Sequence, residues 1–262
     1  MAIEISKKQG IAISIIIIIA VGSLTLLIPH STGMEDVRVA VYNDVGALPS
    51  SAVALLSMFR WMHAKANYVN STDIKQGALD GYDIVAFPGG NTYYYSQRLG
   101  SIGRNAICDF VAAGGSYFGI CGGSVFGTTT YLKLFNGYVS GAINGSGTKI
   151  VEMTINRNST GPDLSTEPLT YQLLYWDSGY FYSNNASYMS TVNPIALYPQ
   201  NNEPGMITCR YGNGTVFLSF PHPEYEENSA RDGTDIFSSY KDPDSEWPLL
   251  LKVSLWLVEA SK

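Results

Sequence analysis

Two short motifs, far apart in the sequence, constrain this chain more than any other feature. Residues 119–123 read Gly-Ile-Cys-Gly-Gly, and residues 221–224 read Pro-His-Pro-Glu. A cysteine between glycines, after an apolar predicted strand and before a predicted helix, is typical of a nucleophile elbow. A histidine and a carboxylate that are distant in sequence can complete a catalytic triad in space. The motifs therefore predict that Cys121, His222 and Glu224 come together on an α/β fold.

The pattern of apolar residues predicts how that fold is built. Predicted strands alternate with helical patterns in the first half, and strands dominate the second half. Because successive strand–helix units favour a parallel sheet, we predict a flavodoxin-like, mostly parallel sheet with helices on both faces, elaborated by β-hairpins in the second half. The predicted strands are 37–42, 68–69, 83–87, 116–120, 149–155, 170–175, 194–198, 205–211 and 214–220. The main predicted helices run from a cap at Ser50 or Ser51 to about residue 64, and over 102–113, 122–130 and 247–259.

The two motifs and a third glycine-rich turn are predicted to share one edge of this sheet. Residues 88–90, Pro-Gly-Gly, follow one predicted strand and Cys121 follows the next. Sites in parallel sheets form at the carboxyl ends of the strands. The Gly122 N–H, directly after the nucleophile, is a predicted oxyanion donor, and the turn at 88–90 supplies a second. With His222 as base and Glu224 orienting it, these roles imply acyl transfer to Cys121 and hydrolysis of a thioester.

Composition and the remaining residues limit the ligands. A net charge of -6 argues against nucleic acid, because phosphate binding needs a basic face. The three cysteines are not spaced as metal ligands, and we predict neither a metal nor a cofactor. The substrate is predicted to be an unidentified small molecule or peptide. Predicted substrate contacts come from Gly89, Asn91, Tyr93 and Trp176.

The N-terminal region predicts a membrane tether. Lys7 and Lys8 precede an apolar run over 11–28, which at about 1.5 Å per residue spans roughly the hydrocarbon core of a bilayer. The positive-inside rule then assigns residues 1–9 to the cytoplasm, 10–29 to a transmembrane anchor and 30–36 to a linker. Residues 37–262 form the predicted domain, outside the membrane. A cleaved signal peptide, and hence a secreted protein, is the alternative.

Two further features bear on that location. Five Asn-x-Ser/Thr sequons, at Asn70, Asn144, Asn158, Asn185 and Asn213, agree with an exterior glycoprotein. On the exterior, Cys108 and Cys209 could form a disulfide and leave Cys121 free. The alternative is that both are buried, unpaired thiols.

The motifs resemble those of the class I glutamine amidotransferase superfamily, in which a Gly-x-Cys-x-Gly elbow and a later His-Pro-Glu form the glutaminase triad. The order of features is similar to that of the amidotransferase-like domain at the N terminus of some biotin-protein ligases. It consists of a leading strand at 37–42, a Pro-Gly-Gly turn followed by aromatic residues at 88–95, a helix ending in Gly-Gly at 112–115, and the elbow at 119–123. The resemblance covers about residues 37–224. It implies Cys121 as nucleophile, His222 as base, Glu224 as the orienting carboxylate, and Gly90 and Gly122 as oxyanion donors.

Three functions fit this sequence. The first is a membrane-anchored cysteine hydrolase that acts on an amide, peptide or ester outside the cell. The second is a ligand-binding or scaffold module that keeps the fold without turnover, with aromatic residues near the rim lining its ligand surface. The third is a glutaminase subunit of a synthase, which requires a cytosolic domain and therefore conflicts with the position of the two lysines.

Overall fold

The computed structural model describes residues 33–261. The strands in this part of the chain are β1 (Arg38–Tyr42), β2 (Lys65–Val69), β3 (Ile84–Phe87), β4 (Ser116–Ile120), β5 (Tyr138–Val139), β6 (Thr148–Ile155), β7 (Thr170–Trp176), β8 (Phe181–Tyr182), β9 (Asn193–Leu197), β10 (Pro204–Tyr211) and β11 (Gly214–Ser219). The helices are α1 (Pro49–Trp61), α2 (Ser71–Lys75), α3 (Thr92–Ala112), α4 (Gly122–Phe126), α5 (Ala186–Met189) and α6 (Trp247–Ala260), with one 3-10 turn at Ala78–Gly81.

A nine-stranded sheet organises the described residues, in the order β2-β1-β3-β4-β11-β10-β9-β6-β7. The strands from β2 to β11 in this order pair in parallel. From β11 onward the pairs are antiparallel, as the hairpins predicted for the second half require. The predicted α/β fold, with a large and mostly parallel central sheet and helices, is confirmed. Both motif strands, β4 and β11, lie side by side, so their carboxyl ends meet at one edge.

Helices pack on both faces of the sheet. Side chains alternate along each strand, so neighbouring residues of one strand belong to opposite faces. Val39 and Val41 of β1 pack in one buried cluster with residues of α1 and α6. Ala40 and Tyr42, on the opposite face, belong to a second cluster that contains residues of α3 and α4. The elbow between β4 and α4 therefore rests on a sheet that is supported from both sides.

The predicted start of α1 and the predicted end of α4 are wrong, and the first part of α3 was not predicted. Helix α1 has Leu48 at its N-cap and Pro49 in its first turn, so neither serine caps it. The range of α3 contains a kink at Gly100, where φ is 59°. The predicted helix over 102–113 matches the part after this kink, and the missed part before it is capped by the Asn91 side chain. Helix α4 ends at Phe126 instead of residue 130. The Thr128 hydroxyl donates to the carbonyl of Val125 (2.7 Å), which closes the chain into a turn.

The described residues bear on the membrane and disulfide predictions only in part. Over residues 33–261, no helix has both the length and the apolar character needed to cross a membrane. The predicted anchor at 10–29 lies outside the described residues, as does the cytoplasmic segment predicted at 1–9. Cys108 and Cys209 are free thiols, as the second alternative for this pair has it, but only Cys209 is buried and Cys108 is partly exposed.

Candidate active site

Cys121 occupies a strained turn between β4 and α4. Its φ of 47° and ψ of -111° lie outside the regions that residues with a side chain usually adopt. The following glycines allow the turn to form, because a Cβ at Gly122 would lie 2.0 Å from the carbonyl oxygen of Gly90. A Cβ at Gly123 would lie 2.1 Å from the carbonyl oxygen of Phe87. The backbone of the elbow is thus pressed against the strand end that carries the turn at 88–90.

His222 and Glu224 form a buried pair just beyond β11. The backbone N–H of His222 donates to the carbonyl of Leu174 (2.9 Å), which fixes the chain after the strand. The ring Nδ1 lies 2.9 Å from Glu224 Oε1, and both side chains are fully buried. Because a carboxylate can only accept, Nδ1 carries the proton. The other ring nitrogen, Nε2, is buried and has no hydrogen-bond partner within residues 33–261.

The electrostatics of the pair favour a charged imidazole. Burial alone lowers the pKa of His222, but the negative charges of Glu224 and Cys121 outweigh it and raise that pKa from 6.5 to about 10. This influence requires the thiol to lie close to the ring. The arrangement therefore suits a thiolate beside an imidazolium, with the carboxylate stabilising the positive charge.

Ser51 connects this pair to the glycine-rich turn, and the sequence analysis missed its role. Its hydroxyl donates to Glu224 Oε1 (2.7 Å). The same hydroxyl oxygen accepts the backbone N–H of Gly89 (2.8 Å). Ser51 is completely buried in α1. In the sequence it was marked only by its position two residues after Pro49 at a predicted helix start, and that signal predicts a cap.

The Pro-Gly-Gly turn lies against both Cys121 and His222, at the strand end where the sequence predicted it. A Cβ at Gly89 would lie 3.0 Å from His222 Cε1 and 3.5 Å from Cys121 Cβ. The hydroxyl of Tyr95 lies 3.0 Å from the carbonyl oxygens of both Pro88 and Gly89, and fixes the turn from behind. Sequence motifs on three strand ends are therefore brought into one site.

A cavity of about 330 Å³ opens over this site. Most of its walls are apolar, and Asp177 is its one carboxylate. Its lining residues are Leu48, Gly90, Cys121, Trp176, Asp177, Phe220 and His222. The Trp176 ring lies 5.9 Å from the His222 ring and forms one wall. A larger cleft of about 650 Å³ lies elsewhere and contains none of the motif residues.

The remaining predicted site residues fall inside or outside this cavity. Gly90 and Trp176 line it, and Gly89 lies beneath it against His222. Neither Gly90 nor Gly122 has a partner for its backbone N–H among the described residues. Asn91 instead caps α3, since its side chain accepts the N–H of Tyr93 (3.0 Å). Tyr93 is 59% exposed. Neither Asn91 nor Tyr93 lines the cavity.

Comparison with known proteins identifies the family. The sequence model of the family described as "Biotin-protein ligase, N terminal" matches residues 37–133. The phosphoribosylformylglycinamidine synthase subunit PurQ of Synechococcus sp. (strain CC9605) is 30% identical over 173 residues, which cover 60% of this chain and 78% of PurQ. The chain belongs to the class I glutamine amidotransferase-like superfamily. The resemblance inferred from the motifs is therefore confirmed.

Two other similarities define how far the superfamily likeness extends. The biotin–protein ligase of Schizosaccharomyces pombe is 25% identical over 214 residues, which cover 72% of this chain but only 33% of the ligase. A glutamine amidotransferase from Thermotoga maritima superposes with a TM-score of 0.54 at 14% identity, over 86% of this chain and 90% of that one. At this identity the superposition shows the amidotransferase-like fold alone.

Proposed function

We propose that this protein is a cysteine amide hydrolase. The observation that carries the proposal is the buried pair of His222 and Glu224 beside Cys121, with Nε2 of His222 left without a partner among residues 33–261 at the cavity that Cys121 lines. A thiol, an imidazole and an orienting carboxylate in this order form the machinery of acyl transfer. A structural histidine would instead have its second nitrogen bonded.

The proposed reaction has two halves. The Cys121 sulfur attacks the carbonyl carbon of the amide, and the N–H groups of Gly122 and Gly90 stabilise the oxyanion. His222 gives its Nε2 proton to the leaving nitrogen, so an amine or ammonia departs and a thioester remains. Water, deprotonated by His222, then attacks the thioester and releases a carboxylic acid and free Cys121. Net, one amide and one water give one acid and one amine.

The cavity lining supports a particular class of amide. Leu48, Trp176 and Phe220 provide apolar contacts, and Asp177 is exposed at the same cavity. An amide that carries a nearby ammonium group, as an amino acid amide or a free peptide end does, would pair with that carboxylate. A volume of about 330 Å³ suits a small molecule or a short peptide segment.

We also propose that the enzyme is membrane-anchored and acts outside the cytoplasm. Support comes from the apolar run at 11–28 behind Lys7 and Lys8, and from the sequons. Four of the five acceptor asparagines are exposed and the fifth, Asn144, is partly exposed, as glycosylation requires. The same features suit a secreted form if residues 10–29 are a signal peptide.

A glutaminase subunit is the second candidate. The observation that favours it is the 30% identity to a synthase subunit, PurQ, over most of that protein. Both candidates use the same triad and differ in the substrate. Release of ammonia from L-glutamine in preference to other amides would support the glutaminase.

The deciding experiment measures activation of Cys121 and then turnover. The full chain is alkylated with iodoacetamide across pH, and labelling of Cys121 is followed by peptide mass spectrometry in wild type, His222→Ala and a Cys108→Ala control. We expect rapid labelling well below pH 8.5, the ordinary pKa of a free thiol, slowed by His222→Ala and unchanged in the control. A panel of amino acid amides and L-glutamine then tests hydrolysis, which Cys121→Ala should abolish.

Two results would contradict the proposal. Slow labelling that is indifferent to His222 would mean that the triad is not assembled. Hydrolysis that survives Cys121→Ala would mean that the nucleophile lies elsewhere. A ligand that binds the cavity with no turnover, and with the same affinity in Cys121→Ala, would favour the binding module instead.

A further inference from the structure

A cluster of carboxylates lies in the segment that joins Glu224 to α6. Asp242, Asp244 and Glu246, which we call the acidic cluster, each contribute one oxygen, and these oxygens all lie within 4.8 Å of one another. Two oxygens on opposite sides of a Ca²⁺ ion, each at about 2.4 Å, are about 4.8 Å apart. The three oxygens therefore fit around one ion of that size. The alternating Asp-x-Asp-x-Glu spacing is also that of the first ligands in calcium-binding loops.

Two members of the acidic cluster each bury one carboxylate oxygen that has no hydrogen bond. Asp242 is 1% exposed and Glu246 is 2% exposed. Asp242 Oδ1 accepts the backbone N–H of Asp244 (3.2 Å). Asp242 Oδ2 and Glu246 Oε1 have no partner among the described residues. Buried carboxylate oxygens in proteins are normally ion-paired, hydrogen-bonded or bound to a metal, and these two oxygens have neither of the first two kinds of partner.

A fourth buried carboxylate lies near the acidic cluster but is not one of its three members. Glu227 is 6% exposed, and its Oε1 has no partner within residues 33–261. It adds a negative charge near Asp242 and Glu246. A cation bound by the acidic cluster would offset this charge as well.

Within residues 33–261, no positively charged side chain forms an ion pair with these four carboxylates. The same segment contains two cations, Arg231 and Lys241. Arg231 is bound to Glu226 (2.7 Å) and covers the ring of Trp247 at 4.5 Å, and Lys241 is exposed. The N terminus of α6 contributes roughly half a positive charge, which is small against four carboxylates. Without a cation, burial and mutual repulsion raise the pKa of Asp242 to about 8 and of Glu227 to about 7, and raise that of Glu246 well above its usual range.

We propose that Asp242, Asp244 and Glu246 form a binding site for a divalent cation of the Ca²⁺ type. All three ligands are carboxylates, and the set has neither the thiolates nor the imidazoles that Zn²⁺ and Cu²⁺ prefer. Ca²⁺ accepts several carboxylates in irregular geometry, whereas Mg²⁺ demands an octahedron and keeps most of its water. Millimolar Ca²⁺ outside cells is sufficient for a loop site of this kind.

The cation would fix the chain close to the candidate active site. Glu246 precedes Trp247, whose indole N–H donates to the backbone carbonyl of Glu224 (3.1 Å). One ion bound by residues 242–246 would therefore hold the start of α6 beside the residue that orients His222.

The test is calcium titration of the full chain, purified in mild detergent and freed of metal with EDTA. CaCl₂ is added in a calorimeter, and the melting temperature is recorded with and without it. We expect a dissociation constant between about 10⁻⁵ and 10⁻³ M and a rise in Tm with Ca²⁺. Asp244→Asn, at an exposed position, keeps a carbonyl oxygen but removes one ligand charge. It should weaken binding about tenfold, because calcium affinity depends on the number of charged ligands. Asp235→Asn, an exposed carboxylate of the same segment, is the control and should bind as wild type does.

A second variant separates lost binding from lost folding. Glu246→Gln keeps the size of the side chain and removes the ligand charge, so in EDTA its Tm should stay close to that of wild type, while in Ca²⁺ it should fall below. Three outcomes would overturn the proposal: no heat and no Tm shift at about 5 mM CaCl₂, wild-type affinity in Asp244→Asn, or equal affinity for MgCl₂.

Discussion

Among single residues, Ser51 tests the geometry around Cys121 most directly. It is a positioning residue, because its hydroxyl holds both Glu224 Oε1 (2.7 Å) and the N–H of Gly89 (2.8 Å) and touches no substrate. Ser51→Ala leaves both groups buried without this partner, at a cost of about 1–3 kcal/mol. We expect Cys121 alkylation at neutral pH to slow roughly tenfold, and its pH profile to move toward that of an ordinary thiol. The measurement is the iodoacetamide rate across pH.

Ser50→Ala is the matched control at the residue scale. Ser50 is the neighbour of Ser51 in the same turn of α1, and its hydroxyl contacts the Tyr225 hydroxyl (2.8 Å) instead of Glu224. We expect this variant to keep the wild-type pH profile. If both serine variants lowered the rate equally without moving the profile, Ser51 would have only a general packing role.

The residues of the candidate site differ in how far the sequence could predict them. Cys121, His222 and Glu224 each have a local signature, because glycines or prolines stand beside them. The motifs alone therefore indicated these three residues as candidates. Ser51 has none, because its partners lie 173 and 38 positions away and their meeting depends on how α1 packs. Asn91 was predicted as a substrate contact, and the cap it forms for α3 depends on a helix start that the sequence pattern did not indicate.

Between elements, the close approach of the elbow and the Pro-Gly-Gly turn gives a sharp prediction. A Cβ at Gly122 would lie 2.0 Å from the Gly90 carbonyl oxygen, so Gly122→Ala must push the two strand ends apart. Overpacking of this kind costs about 1–3 kcal/mol. We expect a lower midpoint in urea and slower alkylation of Cys121, because displacement of the elbow moves the thiol away from His222.

Gly141→Ala is the control for this change. A Cβ there has no atom within 4 Å, so the midpoint should stay close to that of wild type. Loss of stability in both variants would show that alanine destabilises this protein even where a Cβ meets no other atom, and the close contact at Gly122 would not explain the result. Unchanged alkylation in a destabilised Gly122→Ala would show that the elbow does not depend on this contact.

Strands were predicted more accurately than helix ends, and the reason is physical. A buried strand such as β4 is a short apolar run between turn residues, and its predicted bounds match Ser116–Ile120. Helix ends depend on caps and tertiary contacts. The start of α3 at Thr92 and the end of α4 at Phe126 were therefore not predicted. The acidic cluster was missed for a related reason. Asp242 and Glu246 read as ordinary loop charges until the fold buries them.

For the whole molecule, the proposed membrane anchor makes a prediction about where the domain lies. Lys7 and Lys8 before the run at 11–28 predict a cytoplasmic N terminus and an exterior domain. We expect protease added to intact cells to degrade the domain, and the chain to sediment with membranes. Lys7→Glu combined with Lys8→Glu removes the charge bias that sets the orientation, so the protected fraction should rise. A domain that is protected until lysis in the wild type would contradict the exterior location, and would favour the glutaminase subunit, since ammonia transfer to a synthase belongs in the cytosol.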